Sequence, residues 1–107
     1  MKHKHLGRWR ITQMGRWDRD FIDLIVQGYI RFDDNGVGEF QFGTVHGYLK
    51  YCEGEHEDKY RIAFTWEGAI ESDPAKGTGW SEISNDGLRG HIYIQDGDDS
   101  WFKAMKA

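Results

Sequence analysis

The sequence feature that most limits the possible folds is the middle stretch, residues 59–68. Along it, apolar side chains alternate with polar or small ones. The large apolar side chains Tyr60, Ile62, Phe64 and Trp66 all fall on one parity. Successive side chains of a β-strand point to opposite faces, so the stretch predicts a strand with an aromatic wall on one side and a more polar wall on the other. The rest of the chain must cover that aromatic wall.

Seven other segments alternate in the same way, and most are separated by short turns rich in glycine, aspartate and asparagine. The predicted strands, in chain order, are residues 6–14, 28–32, 38–43, 44–51, 59–68, 79–83, 88–95 and 101–105. Hairpin turns are predicted at residues 33–36 and 85–87, a solvated loop at residues 53–58, and a turn-rich connector at residues 71–77. The side chains expected to form the core are Trp9, Phe40, Phe42, Tyr60, Ile62, Phe64, Trp66, Ile92 and Ile94.

The period changes between residues 17 and 25, where Trp17, Phe21 and Leu24 are spaced at i, i+4 and i+7. This spacing predicts one or two turns of helix. Eight strands joined neighbour to neighbour form an antiparallel meander, and closing it into a small barrel covers the aromatic wall and removes both sheet edges. The fold is therefore predicted to be all-β, an eight-stranded antiparallel barrel with a short helix near residues 17–25. A strongly bent sheet folded over that helix is the alternative.

The 107 residues are enough for one domain, residues 1–107, whose core needs no metal or disulfide. Because the single cysteine, Cys52, excludes an internal disulfide, we expect a reducing, cytoplasmic setting. No apolar run approaches the roughly 20 residues that a membrane helix needs, so no membrane association is expected. Residues 1–5 are basic but no apolar segment follows them, so we expect a flexible tail and no export signal.

The net charge of −4 is unevenly distributed along the chain. Residues 1–17 hold five basic side chains and no acid, whereas residues 18–107 hold nine basic and eighteen acidic side chains, a balance of −9. A nucleic-acid binder needs a basic face large enough to displace several counterions, and most of this chain would repel phosphate. No nucleic-acid partner is therefore expected, and the basic segment is expected to lie against acidic neighbours.

Gly7, Arg8 and Trp9 at the start of the first strand, followed by an eight-strand meander, resemble the opening of calycin-type barrels such as lipocalins, fatty-acid-binding proteins and avidins. In lipocalins the tryptophan of this motif closes the base of the barrel, and the family carries small apolar ligands in its interior. The resemblance therefore implies a calycin-like barrel that carries a small apolar ligand.

Three blocks, at residues 14–24, 64–80 and 97–102, are together similar to a family of small bacterial proteins described as hypothetical. This resemblance implies a bacterial origin. It implies no mechanism, because no activity accompanies the family.

Two groups of acidic residues are candidates for a catalytic or cation-binding site. Glu67, Glu71 and Asp73 flank Trp66 and Trp80, and a pair of carboxylates beside an aromatic wall is the arrangement that glycoside hydrolysis uses. Residues 96–99 contain three aspartates that could offer oxygens to a cation, although Asp and Gly are ordinary turn formers. The interpretations we prefer are a solvated rim for the first group and a structural turn for the second, so no catalytic residue is predicted.

No metal or cofactor is predicted from the histidines and the cysteine. A zinc site needs three or four ligands at defined spacing, and no such arrangement occurs. His3 and His5 belong to the expected tail, while His46 and His91 have the parity opposite to the aromatic wall and are expected to face outward. No glycine-rich loop is followed by a helix that could present its amides to phosphate.

Trp17, Trp80 and Trp101 are the tryptophans that the parity does not assign to the core, and a surface tryptophan among acids is typical of a partner-binding patch. With Trp66 and Glu67 they form the predicted set of binding residues. The predicted function is a non-enzymatic binding module that recognises a protein partner through an acidic, Trp-containing surface. The alternatives are a carrier of a small apolar ligand, a carboxylate hydrolase, and an acidic mimic of nucleic acid.

Overall fold

A computed structural model describes residues 4–84 and 87–107, and in these residues eight antiparallel strands close into one barrel. The strands are β1 (Gly7–Met14), β2 (Tyr29–Phe32), β3 (Val37–Phe42), β4 (Val45–His56), β5 (Lys59–Ile70), β6 (Asp73–Ser84), β7 (Gly87–Ile94) and β8 (Asp99–Lys106). Each strand pairs with its neighbours in sequence, and β1 pairs with β8. The predicted all-β barrel is confirmed, and the alternative of an open bent sheet is wrong. Residues 85 and 86 of the predicted turn at 85–87 lie outside the described residues.

Two strands, β4 and β6, extend into segments that the sequence predicts to be a loop and a turn-rich connector. Residues 53–56, predicted as a loop, continue β4 and pair with β5, so the turn consists of Glu57 and Asp58, which both have positive φ. Likewise β6 begins at Asp73, within the predicted connector, and pairs with the end of β5. These segments carry polar or small side chains on both faces, so the alternation that marks a strand is absent. Pairing with the strongly patterned β5 determines their structure instead.

The predicted helix exists but is one turn long, α1 (Arg19–Ile22). Asp18 caps its start, because the side chain accepts a hydrogen bond from the backbone N–H of Phe21. Trp17 packs against the rings of Phe21 and Phe42, with centroids 5.8 and 5.0 Å apart. The short helix and Trp17 therefore cover one end of the barrel.

His5 covers the other end. Its side chain is 1% exposed, with Nε2 and Nδ1 each 3.1 Å from a hydroxyl oxygen, those of Tyr51 and Tyr60 respectively. The prediction that residues 1–5 form a flexible tail is therefore wrong for His5, because its ring is held by the ends of β4 and β5. Residues 1–3 lie outside the described residues.

The barrel interior is filled by aromatic rings that stand opposite glycines. In four cross-strand pairs a ring occupies the space that the β-carbon of the facing residue would take, with its nearest atom 2.3 to 2.9 Å from that position. The pairs are Phe40 with Gly47, Phe64 with Gly79, Trp66 with Gly77, and Phe102 with Gly90. Each of these glycines therefore leaves room for a ring in the narrow interior.

The predicted core is largely confirmed. Seven of the nine residues are buried, namely Trp9, Phe40, Phe42, Ile62, Phe64, Trp66 and Ile92. Tyr60 and Ile94 are only half-buried, because they lie near the ends of the barrel where fewer strands surround them.

Alanine at Gly47 tests the ring-on-glycine packing. A β-carbon there would lie 2.7 Å from the Phe40 ring and 2.8 Å from the Trp66 ring. We expect Gly47→Ala to lower the free energy of unfolding by about 1–3 kcal/mol, the usual cost of overpacking a core. Denaturant unfolding measures the change.

The matched control is Gly54→Ala, also in β4, where no atom lies within 4 Å of the added β-carbon. This variant should be about 0.5 kcal/mol more stable than the wild type, because alanine loses less backbone entropy than glycine in a strand. Equal effects of the two substitutions would contradict the packing described.

Candidate functional site

The largest exposed rings among the described residues lie on the outside of the barrel. The outward side chains of β4 and of β6 to β8 include Tyr48, Trp80, His91, Tyr93 and Trp101, which we call the outer aromatic face. Tyr48 is 62% exposed, Tyr93 41% and Trp101 40%. His46 and His91 both lie on the outside, as predicted from their parity.

Strand pairing places two of the predicted binding residues in one row. His91 pairs with Trp80 on one side and with Trp101 on the other. Because neighbouring strands lie about 4.8 Å apart, the three side chains are adjacent on the barrel surface. The row Trp80–His91–Trp101 is therefore a continuous aromatic strip across β6, β7 and β8.

Trp80 is held in place by a buried ion-pair network. The guanidinium carbon of Arg61 lies 3.9 Å from the centre of the Trp80 ring, within cation–π range. Arg61 Nε donates to one oxygen of Glu82 at 2.9 Å, with Arg61 Nη2 2.8 Å from the same oxygen, and Arg89 donates to the other oxygen at 3.0 Å. Glu82 is only 3% exposed. The carboxylate therefore orients Arg61, and Arg61 covers the indole.

The surroundings of Glu82 keep it ionised. Burial of the carboxyl group opposes ionisation, but the hydrogen bonds and positive charges of Arg61 and Arg89 outweigh burial, so the pKa of Glu82 lies below its ordinary value of 4.5. A buried carboxylate of this kind stabilises the fold only while it is charged.

The two exposed tyrosines are each supported by a histidine and a carboxylate. The Tyr48 ring lies 4.8 Å from the ring of His46, and His46 Nε2 is hydrogen-bonded to Glu39. In the second unit the Tyr93 ring stacks on His91 at 4.5 Å, and His91 Nε2 is hydrogen-bonded to Asp99.

Both units have the same construction. In each, the tyrosine follows the histidine by two residues. The carboxylate belongs to the residue directly opposite the tyrosine on an adjacent strand, β3 for Tyr48 and β8 for Tyr93. The carboxylate fixes the histidine ring, and the histidine ring restricts the tyrosine. Each exposed tyrosine ring therefore contacts a histidine that a carboxylate restricts.

An open groove of about 1000 Å³ lies between the two tyrosines. Lys50, Thr65, Thr78 and Tyr93 are successive cross-strand partners and form one row along it. A second row consists of Tyr48, Glu67 and Lys76. The groove therefore has an aromatic ring at each side and hydroxyl and charged groups between them.

The acidity of the chain is not concentrated on this face. In residues 4–84 and 87–107, ten acidic residues lie outside the strands, in the turns and the α1 segment. Within the described residues, Lys50, Lys76 and Lys103 have no carboxylate oxygen within 4.0 Å, whereas the carboxylates of Glu82 and Asp99 are already paired. Both acidic and basic side chains therefore border the outer aromatic face.

The basic N-terminal segment does lie against acidic neighbours. Arg10 approaches Asp23 at 3.8 Å, and Arg16 approaches Asp98 at 3.7 Å. These exposed pairs contribute little to stability individually. Two of the basic side chains in residues 4–17 are therefore next to a carboxylate.

The remaining predicted site residues do not join the row. Trp66 is 2% exposed and belongs to the core, with its indole N–H donating to the carbonyl of Tyr93 at 3.2 Å. Trp17 packs against α1, as described above. Glu67 lies in the groove, whereas Glu71 is in the β5–β6 turn and Asp73 begins β6. The three carboxylates have no hydrogen bond or ion pair within the described residues, and nothing supports their cooperation in hydrolysis.

Sequence reasoning missed both exposed tyrosines and the groove between them. The signal that could have found them is the repeated His-x-Tyr at residues 46–48 and 91–93, with each histidine on an outward parity. Their acidic partners could not be identified without the strand register.

Comparison of this chain with protein-family models, with curated proteins and with solved structures finds no match. Within residues 4–84 and 87–107, no helix is long and apolar enough to cross a membrane. In the same residues no group of three or more His, Cys, Asp or Glu side chains is arranged to hold a metal ion. The candidate site is therefore defined by its geometry alone.

Replacing Glu82 tests the network beneath Trp80. At about pH 7 we expect Glu82→Gln to lower the free energy of unfolding by about 2 kcal/mol, because two charge-assisted hydrogen bonds are weakened. The pKa of Glu82 is lower in the folded protein than in the unfolded chain. Its stabilisation is therefore fully present above the pKa of the unfolded chain and is lost as the pH falls through the pKa of the folded protein. The stability difference between wild type and variant should therefore shrink below about pH 4.

Denaturant unfolding at a series of pH values measures that difference. Glu67→Gln is the matched control, since Glu67 is exposed on the neighbouring strand and should change stability by less than about 0.5 kcal/mol. A wild-type advantage over Glu82→Gln that stays constant down to about pH 3 would contradict the assigned role.

Proposed function

We propose that the protein is a non-enzymatic binding module that recognises a protein partner through the row Trp80–His91–Trp101. The observation that carries this proposal is the position of Trp101, a large ring that is 40% exposed on a strand of a closed barrel. Tryptophan, tyrosine and arginine are the residues that most often dominate the binding energy of protein interfaces.

The row offers a partner a rigid surface. Trp80 is covered by Arg61, which Glu82 anchors, and His91 is fixed by Asp99. Side chains that are already ordered lose little conformational entropy on binding, so more of the contact energy is retained. The adjoining Lys103, whose ammonium nitrogen lies 5.8 Å from the centre of the Trp101 ring, favours a partner with acidic groups at the rim of the contact.

We favour the outer face over the barrel interior as the binding site. A carrier of a small apolar ligand requires an interior void, and the rings of the four ring-on-glycine pairs occupy that space. A hydrolase would require at least two carboxylates facing one cleft, and Glu67 is the one member of the predicted group in the groove.

Substitution of Trp101 tests the proposal. The immobilised wild-type protein is used to capture partners from a lysate of its own cells, and each captured protein is quantified by mass spectrometry. Trp101→Ala should reduce the capture of a specific partner at least tenfold, because truncating a hot-spot ring removes the centre of the contact. Its free energy of unfolding should fall by about 1–3 kcal/mol, because the side chain is only 40% exposed, so capture is compared at a temperature at which both proteins are folded.

Gln41→Ala is the matched control, because Gln41 points outward on β3, away from the row. It should capture the same partner as the wild type. Equal capture by the wild type and by folded Trp101→Ala would remove the proposal.

A further inference from the structure

We propose that the groove between Tyr48 and Tyr93 is a separate binding site for a short acidic oligosaccharide. The groove has a volume of about 1000 Å³ and is open to solvent along its length. Its two rings lie on β4 and β7, three strand spacings apart, so they are separated by about 14 Å across the strands. A ligand that contacts both rings must be extended and contain more than one ring-sized unit.

The two rings suit the apolar faces of sugars. Sugar rings present C–H groups on their faces and hydroxyl groups around their edges, so they stack on aromatic side chains and hydrogen-bond to neighbouring polar groups. Tyr48 and Tyr93 supply exposed rings that His46 and His91 already restrict. A tyrosine contributes a large contact area at a small cost in conformational entropy.

The floor of the groove supplies hydrogen-bonding groups that are not otherwise used. The hydroxyls of Thr65 and Thr78, the carboxylate of Glu67 and the side-chain amide of Gln95 line the groove, and none makes a side-chain hydrogen bond within the described residues. Together they include donors and acceptors, as a hydroxyl-rich ligand requires.

The charges favour an acidic ligand. Lys50 and Lys76 line the groove without a carboxylate oxygen within 4.0 Å in the part of the chain that the structure describes, and Glu67 is the opposing acid. Arg31, at one end of the groove, is occupied by Asp33 and Glu39. Two available ammonium groups against one carboxylate give this groove a positive balance, although the whole chain has a net charge of −4.

Two other classes of ligand fit less well. A peptide could not add as a strand here, because the strands beneath the groove are hydrogen-bonded to neighbours on both sides. A single-stranded nucleic acid would use the rings for stacking, but it needs a basic groove that follows its backbone. Two lysines beside a glutamate are too few for that purpose.

Calorimetric titration with defined probes tests the site. The probes are hexagalacturonate and a chondroitin sulfate hexasaccharide as acidic sugars, cellohexaose as a neutral sugar, and an eight-nucleotide oligothymidylate. We expect saturable binding of at least one acidic sugar, a reduction of at least tenfold in Tyr48→Ala and in Tyr93→Ala, and weaker binding in Lys76→Gln. Amide chemical shifts of Thr65 and Thr78 should move during the titration.

Trp101→Ala is the control, because its ring lies outside the groove and is the centre of the proposed protein contact. It should bind the acidic sugar as the wild type does, so failure of the protein-partner proposal and failure of this one are distinguishable. The inference is overturned if neither acidic sugar binds, if binding survives both tyrosine substitutions in folded protein, or if cellohexaose or the oligothymidylate binds more tightly than the acidic sugars.

Discussion

The packing of aromatic rings against glycines on the facing strand is the interaction on which the rest of the structure depends. An eight-stranded barrel has an interior just wide enough for side chains, so glycine on a facing strand helps to make room for a large ring. In Phe40–Gly47, Phe64–Gly79, Trp66–Gly77 and Phe102–Gly90 each ring uses the space that the glycine leaves. Burying each ring also removes a large apolar area from water, worth roughly 1.5–3 kcal/mol per side chain. The barrel can therefore close around its aromatic wall.

The proposed recognition surface lies on the outside of the barrel, because aromatic rings occupy its interior. The closed sheet is hydrogen-bonded all the way round, so the positions of outward side chains are determined by strand register. Register brings Trp80, His91 and Trp101 into one row although they are distant in sequence. Register also places Glu39 opposite Tyr48 and Asp99 opposite Tyr93. Each of these carboxylates binds the histidine that contacts the tyrosine. The same pairing that packs the core thus builds the outer aromatic face.

The sequence predicts the fold well wherever one face of a strand is apolar. The alternation in residues 59–68 predicts β5 and its inward side. The prediction that His46 and His91 face outward is also correct. The sequence is less informative where both faces are polar, as in residues 53–56, because pairing with β5 rather than local composition makes them a strand. His5 could not be placed for a similar reason, since its burial depends on contacts with Tyr51 and Tyr60, more than 40 residues away.

The candidate site was predicted only in part. Trp80 and Trp101 were selected because no core position fitted them, and both lie on the outer face. Trp66 was selected as well, but its parity already assigned it to the core, and the structure agrees with the parity. The net charge of the chain does not say where the acids lie, and many of them are in turns. The glycine partners and the groove both require the strand register, which a single sequence does not give.

Nuclear Overhauser contacts within the barrel test the central claim most directly, namely that rings opposite glycines fill the interior and leave recognition to the outer face. The account predicts strong contacts from the α-protons of Gly47, Gly79 and Gly90 to the ring protons of Phe40, Phe64 and Phe102, respectively. Absence of these contacts, with the same rings instead touching water or a bound small molecule inside the barrel, would contradict it.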